Sequence, residues 1–267
     1  MKSARLLRQT SLQLGEIPGW SRLKVIYLRP FPLDFCNLSE FSIEMSLLPH
    51  ITFETAESPR HSIIWMHGLG ADSEDFAPIA EEMNLPVPVR YIFPDAPMRP
   101  VTINGGFVMP AWYDVADSDM DVQQDEAGIR ASRDAIEALI EQEKQRGIAA
   151  GNIYLAGFSQ GGAIALYTGL LHAQPLGGII ALSTYLPLAE SFSGCGCGSA
   201  VNRPPIFMAH GSGDPIVSYD LGMESAELLG SLGCQVEWHE YEMPHLVSMS
   251  EVRDIEAWLT RRLAPAS

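Results

Sequence analysis

The chain has 267 residues, 46% hydrophobic and 19% charged, with a formal net charge of −16 and a sequence pI of about 4.7. That length can bury one sizeable core. The acidity argues against nucleic acid and anionic membrane as partners, since both call for a basic surface.

No uninterrupted apolar run is long enough to span a bilayer, so stable membrane insertion is not expected. The four cysteines, Cys36, Cys195, Cys197 and Cys234, form no dense framework, which makes a reduced cytoplasmic setting the default. Cys195-Gly-Cys197 offers two soft ligands with no Cys or His pair nearby, so it reads as a flexible loop and no metal is expected.

Residues 1–44 differ from the rest. Six basic residues (Lys2, Arg5, Arg8, Arg22, Lys24, Arg29) face four acidic ones (Glu16, Asp34, Glu40, Glu44), a net +2 that leaves −18 on the remainder. The segment lacks a signal peptide's apolar region, and its acidic residues do not suit a transit peptide. It reads as an extension of uncertain order, or as the product of a start codon placed too far upstream. No function is assigned to it. A single α/β domain is expected over residues 45–267.

Ser62–His67 is a buried-strand candidate that ends in Gly68-Leu69-Gly70-Ala71-Asp72. A short helix is expected from Asp75 to Met83, then a strand over Val89–Phe93 stopped by Pro94. Residues 94–121, rich in Pro, Gly and Asp, read as irregular and contain Ala111-Trp112-Tyr113-Asp114. Asp121 to Arg146 reads as a long amphipathic helix, with Ile129, Ile136, Leu139 and Ile140 as its stripe and Gly147 as its stop.

Ile153–Ala156, bounded by Gly151 and Asn152, is an apolar run of the kind buried on both faces of a parallel sheet. It leads into Gly157-Phe158-Ser159-Gln160-Gly161 and then a helix of small and apolar residues. A G-x-S-x-G pentapeptide alone is a weak signal. Between a strand and a helix it reads as a sharp turn that lifts a serine hydroxyl to the top of a sheet. The plain alternative is a glycine-rich turn with an incidental serine. Further strands are expected over 178–183, 205–210 and 235–241, with helices over 219–232 and from 248 onward. Alternating strands and helices imply α/β architecture, a mostly parallel doubly wound sheet covered on both faces.

A serine hydroxyl needs a base, and functional groups in such sheets lie on loops at the carboxyl ends of strands. Of the seven histidines, His239 lies inside a strand, and His67 and His210 suit local loop support. His172 lies near a helix end, and His50 and His61 lack evident partners. His245, between the last strand and the last helix, is where a general base should project, although it could simply cap that helix. Asp214 follows the 205–210 strand in a glycine-rich turn. It can orient the imidazole, or it can merely shape the turn or cap the next helix. The order Ser, Asp, His matches that of α/β-hydrolase triads. For an oxyanion the Gln160 N–H is one donor, and the Leu69 N–H is the chosen second. Trp112 is a candidate acyl-pocket wall and equally a candidate core anchor.

The motifs His67–Asp72, Phe93-Pro94-Asp95-Ala96-Pro97, Ala111–Asp114, Gly157–Gly162, His210-Gly211 with Asp214 and Val217, and His245 resemble the acyl-protein thioesterase and small carboxylesterase family, also described as lysophospholipase-like. The resemblance spans about residues 50–262. It implies an α/β-hydrolase fold and cofactor-free hydrolysis, with Ser159, Asp214 and His245 as triad and Leu69 and Gln160 as oxyanion amides.

Two features depart from the pattern. Pro244 stands where the family usually has glycine, which puts the geometry of the histidine loop in question. The Gly-Cys-Gly-Cys-Gly stretch within Ser191–Asn202 is also atypical. The expected function is a serine carboxylesterase acting on short- to medium-chain esters or thioesters. The alternatives are a lysophospholipase or acyl-protein thioesterase, and a non-catalytic binding protein on the same fold. A small ester or thioester is the expected partner. A homodimer is compatible with the family, though no uncovered apolar stripe demands one.

Overall fold

A computed structural model describes residues 24–25, 47–117, 124–193 and 203–263. Ten strands are present among them: β1 (Lys24–Val25), β2 (His50–Glu54), β3 (His61–Met66), β4 (Val89–Pro94), β5 (Met98–Val101), β6 (Phe107–Pro110), β7 (Ile153–Phe158), β8 (Gly178–Leu182), β9 (Ile206–Gly211) and β10 (Val236–Tyr241). The helices are α1 (Ser73–Glu82), α2 (Glu126–Gln145), α3 (Gln160–Leu171), α4 (Glu190–Ser193), α5 (Tyr219–Ser231) and α6 (Met249–Leu263).

Eight strands form one sheet in the order β1-β2-β4-β3-β7-β8-β9-β10, and β5 and β6 form a separate antiparallel hairpin. β1 and β2 run antiparallel to their neighbours, and the remaining pairs are parallel. With the hairpin set aside, the strands enter the sheet in the order 1-2-4-3-5-6-7-8. The reversal at β3 and β4 creates a crevice at the carboxyl ends of the central strands, where ligands of open α/β sheets bind.

Strand alternation divides the core. Ile64 and Met66 of β3 point toward α2, α3 and α5, while Ile63 and Trp65 point toward α1 and α6. The stripe Ile129, Ile136, Leu139 and Ile140 of α2 is buried as its spacing requires. Every residue of α3 from Gln160 to Leu170 is buried, so its small side chains suit a helix packed on all sides. α1 begins with a reciprocal cap between Asp72 and Asp75, and α2 is capped by Asp125.

Several expectations need correction. The segment read as irregular contains the β5–β6 hairpin, whose strands carry Pro100 and Pro110 and whose turn places Gly105 and Gly106 at φ 66° and 79°. β2 went unread. Asp121 falls outside the described residues, and the helix starts at Glu126. Apart from Lys24–Val25, the 1–44 extension lies outside the described residues, as do Cys36, Cys195 and Cys197. Cys234 is a buried free thiol. Among the described residues no helix is long and apolar enough to cross a membrane.

Candidate active site

Ser159 occupies the turn between β7 and α3 with φ 54° and ψ −121°, a conformation that L side chains rarely adopt. The neighbourhood holds it there. Its N–H donates to Leu182 O at 2.8 Å, and its carbonyl accepts Thr184 Oγ1–H at 2.7 Å. A side chain at Gly157 would strike the Gly161 backbone, and one at Gly161 would strike the Met66 and His67 carbonyls, all closer than 3.0 Å. The two glycines of the pentapeptide therefore let β7, α3 and the end of β3 share one spot.

Asp214 follows β9 and His245 follows β10, both at the carboxyl edge. His245 Nδ1–H donates to Asp214 Oδ2 at 2.7 Å, with the Asp214 side chain fully buried. Asp214 Oδ1 accepts the N–H groups of Ile216 and Val217 at 2.8 and 3.0 Å. His210 Nε2 lies 2.9 Å from Val217 O and 3.5 Å from Asp214 Oδ2. Burial by itself would raise the Asp214 pKa. Hydrogen bonds from His210, His245 and the Ile216 N–H outweigh it and hold the carboxyl well below the usual carboxylate range. Asp214 thus shapes its turn and orients the imidazole at once.

The His245 ring packs on Phe158, with centroids 4.6 Å apart, and lines the same cleft as Ser159. No hydrogen bond joins it to Ser159 Oγ among the described residues. Such contacts are commonly loose until substrate is bound. Pro244 does not displace the histidine: Pro244 O accepts the Leu246 N–H at 2.9 Å and the 2.7 Å contact to Asp214 stands.

Leu69 and Gln160 border the cleft beside Ser159. Gln160 opens α3, where N–H groups lack intrahelical partners. Neither its N–H nor that of Leu69 donates to a backbone carbonyl among the described residues. The 68–70 loop runs close to the serine: a Cβ on Gly68 would lie 3.6 Å from Ser159 Cβ.

His67 fixes this loop from behind. Its Nδ1–H donates to Gly68 O at 2.7 Å while Nε2 accepts the Ala96 N–H at 3.0 Å, which requires the neutral ring. Burial also pulls its pKa down. Both nitrogens are taken, and His67 serves as the loop support its position suggested.

Trp112 is not part of the cleft wall. It is fully buried, and its Nε1–H donates to His67 O at 2.8 Å, so it anchors the loop that presents Leu69. The cleft itself, of about 700 Å³, is lined by Phe76, Ile79, Ile103, Tyr113, Ile216 and other largely apolar residues. Sequence reasoning missed three supporting contacts: Thr184 on Ser159, His210 on Asp214, and the Gln160 side chain on the 112–113 backbone. The spacing of His210 four residues before Asp214 was a usable signal. Thr184 gave none. Among the described residues no group of three or more His, Cys, Asp or Glu is placed to hold a metal.

The family model described as Phospholipase/Carboxylesterase matches residues 50–263. The chain belongs to this phospholipase/carboxylesterase family. It is 39% identical over 227 residues to acyl-protein thioesterase 1 of Neurospora crassa, a match covering 81% of this chain and 91% of that protein. Among solved structures, Arabidopsis thaliana SOBER1 superposes with a TM-score of 0.70 at 32% identity, covering 77% of this chain and all of that one. Zea mays acyl-protein thioesterase 2 gives a TM-score of 0.67 at 28% identity, covering 80% and 99%. This member of the phospholipase/carboxylesterase family is an α/β-hydrolase, a hydrolytic enzyme of the thioesterase and carboxylesterase type.

Proposed function

We propose that the protein is a serine hydrolase that cleaves thioesters and oxygen esters of fatty acyl groups through an acyl-enzyme on Ser159. The 2.7 Å contact between His245 and the buried, ionised Asp214, at the wall of an apolar cleft that also holds Ser159, carries this reading. Asp214 keeps the proton on His245 Nδ1, which leaves Nε2 free to take the Ser159 proton as Oγ attacks the carbonyl. The oxyanion develops against the Leu69 and Gln160 amides, each worth about two to three powers of ten in rate. His245 then protonates the leaving group. Water, deprotonated by the same ring, releases the acid.

The apolar lining favours an acyl chain as the bound portion, and Ile103, Ile216 and Leu246 continue that surface to the exposed mouth. The names of the fungal and maize relatives favour the thioester of an acylated protein as the first substrate to try. Sequence reasoning placed simple oxygen esters first, and the family description keeps them as the second.

The test is hydrolysis of p-nitrophenyl esters and acyl thioesters of increasing chain length, with fluorophosphonate labelling, in wild type and Ser159→Ala. Turnover and labelling that vanish in the variant support the proposal. Equal activity in both proteins, or no wild-type activity on any chain length, overturns it.

A further inference from the structure

Glu251 lies in the first turn of α6 and is fully buried. Its Oε2 accepts the Ser248 N–H at 3.2 Å, and its own N–H donates to Ser248 Oγ at 3.2 Å. This reciprocal pair closes the start of α6, three residues after His245. Oε1 has no hydrogen-bond partner, and no cation offsets the group among the described residues. The titratable groups acting on it are Asp254, one turn further along α6, and Tyr241 of β10, whose hydroxyl donates to Asp254 Oδ2 at 2.7 Å. His239, also on β10, stands 3.9 Å from Asp254 as the next group outward.

Two opposing effects set the charge of this carboxyl. A helix N-terminus favours the carboxylate by about two- to fivefold. Complete burial without a counter-charge disfavours it by about a thousandfold or more. Burial wins, Asp254 adds like-charge repulsion, and the carboxyl is pushed up to about 8.

The loop that carries His245 is tied on the β10 side by Gly213 N–H, which donates to Met243 O at 3.2 Å, and at its centre by the contacts of His245 with Asp214 and Phe158. On the α6 side the Ser248–Glu251 pair stands beside the Val252 N–H, which donates to Ser248 O at 3.0 Å, and is the one tie there that carries a titratable side chain.

We propose that Glu251 is a positioning residue for His245 that works as an uncharged carboxylic acid, seating the histidine loop on α6 while it keeps its proton and loosening it on deprotonation. The inference rests on the reading of His245 as the general base. In the neutral form one oxygen accepts from Ser248 and no charge is buried. Loss of the proton leaves an unpaired anion facing Asp254, and the structure can relieve it only by admitting water or shifting the first turn of α6.

The test compares wild type, Glu251→Gln and Glu251→Ala on a p-nitrophenyl ester from pH 6 to 10, together with urea midpoints over the same range. The Ala variant, which loses the tie to Ser248, is expected to show kcat about tenfold lower than wild type below about pH 8 with KM little changed, and Gln, which keeps the acceptor, is expected to rescue most of it. Wild type is expected to lose kcat above about pH 8, whereas Gln holds its plateau. A raised folded-state pKa means stability is lost as pH climbs from the ordinary carboxylate range to about 8. The Gln midpoint should therefore exceed that of wild type at pH 8.

Identical alkaline behaviour of Gln and wild type, or Gln as impaired as Ala, overturns the inference. Failure of the underlying reading is separable: Ser159 would resist fluorophosphonate, while the urea comparison would still test Glu251 without catalysis.

Discussion

Gln160 Oε1 accepts the Trp112 N–H at 2.8 Å, and the same side chain donates from Nε2 to Tyr113 O at 2.7 Å. One amide thereby holds the backbone of two successive residues in the segment after β6, through the peptide groups on either side of the 112–113 bond, against the first turn of α3. Gln160→Leu strips both partners and leaves buried peptide groups unpaired, at about 1–3 kcal/mol each. A loss of about 2–6 kcal/mol is expected in urea unfolding. Under the proposed mechanism activity should fall as well, because the residue's own N–H is one of the two proposed oxyanion donors.

Asp214→Asn keeps the shape of the turn but removes the charge that favours imidazolium and the acceptor that fixes its tautomer. A kcat loss of about three to four powers of ten is expected at neutral pH, with KM little changed. Because the folded-state carboxyl lies below its ordinary range, its contribution to stability is present at neutral pH and disappears as acidity increases through the depressed value. Urea midpoints between pH 2 and 7 should fall less steeply in the Asn variant than in wild type.

Pro244 tests whether the departure at the histidine loop matters. The histidine keeps its contact with Asp214, so Pro244→Gly is expected to leave kcat within about threefold. Stability should drop by about 0.4–1 kcal/mol through greater freedom of the unfolded chain. A large gain in kcat would show that the proline holds the loop away from its working position.

Ile103 belongs to the turn at Thr102–Asn104 between β5 and β6. It lines the cleft while remaining 42% exposed. Ile103→Ala removes apolar wall worth about 0.8 kcal/mol per methylene buried. KM for long acyl chains should rise several-fold while acetyl esters are unaffected, a split that steady-state kinetics across a chain-length series reads directly.

Much of the sheet was legible because its central strands are buried on both faces and therefore written as unbroken apolar runs, Ile153–Ala156 and Ile179–Leu182 among them. β2 and the hairpin were not. Pro100 and Pro110 cannot donate to a ladder, and an exposed two-stranded hairpin needs no apolar alternation, so the segment carried the marks of a loop. At the site, Ser159, Asp214 and His245 could be named because each sits at a strand end in an interpretable order. The contacts that hold them could not, because Thr184 meets Ser159 and Gln160 meets Trp112 only after distant segments converge. Trp112 illustrates the ambiguity: a large aromatic near a site suits a wall and a core anchor equally until its exposure is known.

Under the proposed mechanism, the sheet order also bears on when the enzyme can become active. β7 and β9 lie inside the sheet, whereas β10 is its edge strand among the described residues and is held along one side only, by β9. On the ribosome the serine turn emerges well before β10, so under the proposed mechanism a nascent chain would carry an inert hydroxyl until the last strand docks and delivers the proposed base. The same geometry works in reverse in the finished protein. On the proposed mechanism, loss of β10 alone from this edge would take His245 away from Ser159 while β3, β7 and β8 stay paired, an off state reached by local opening of the sheet edge.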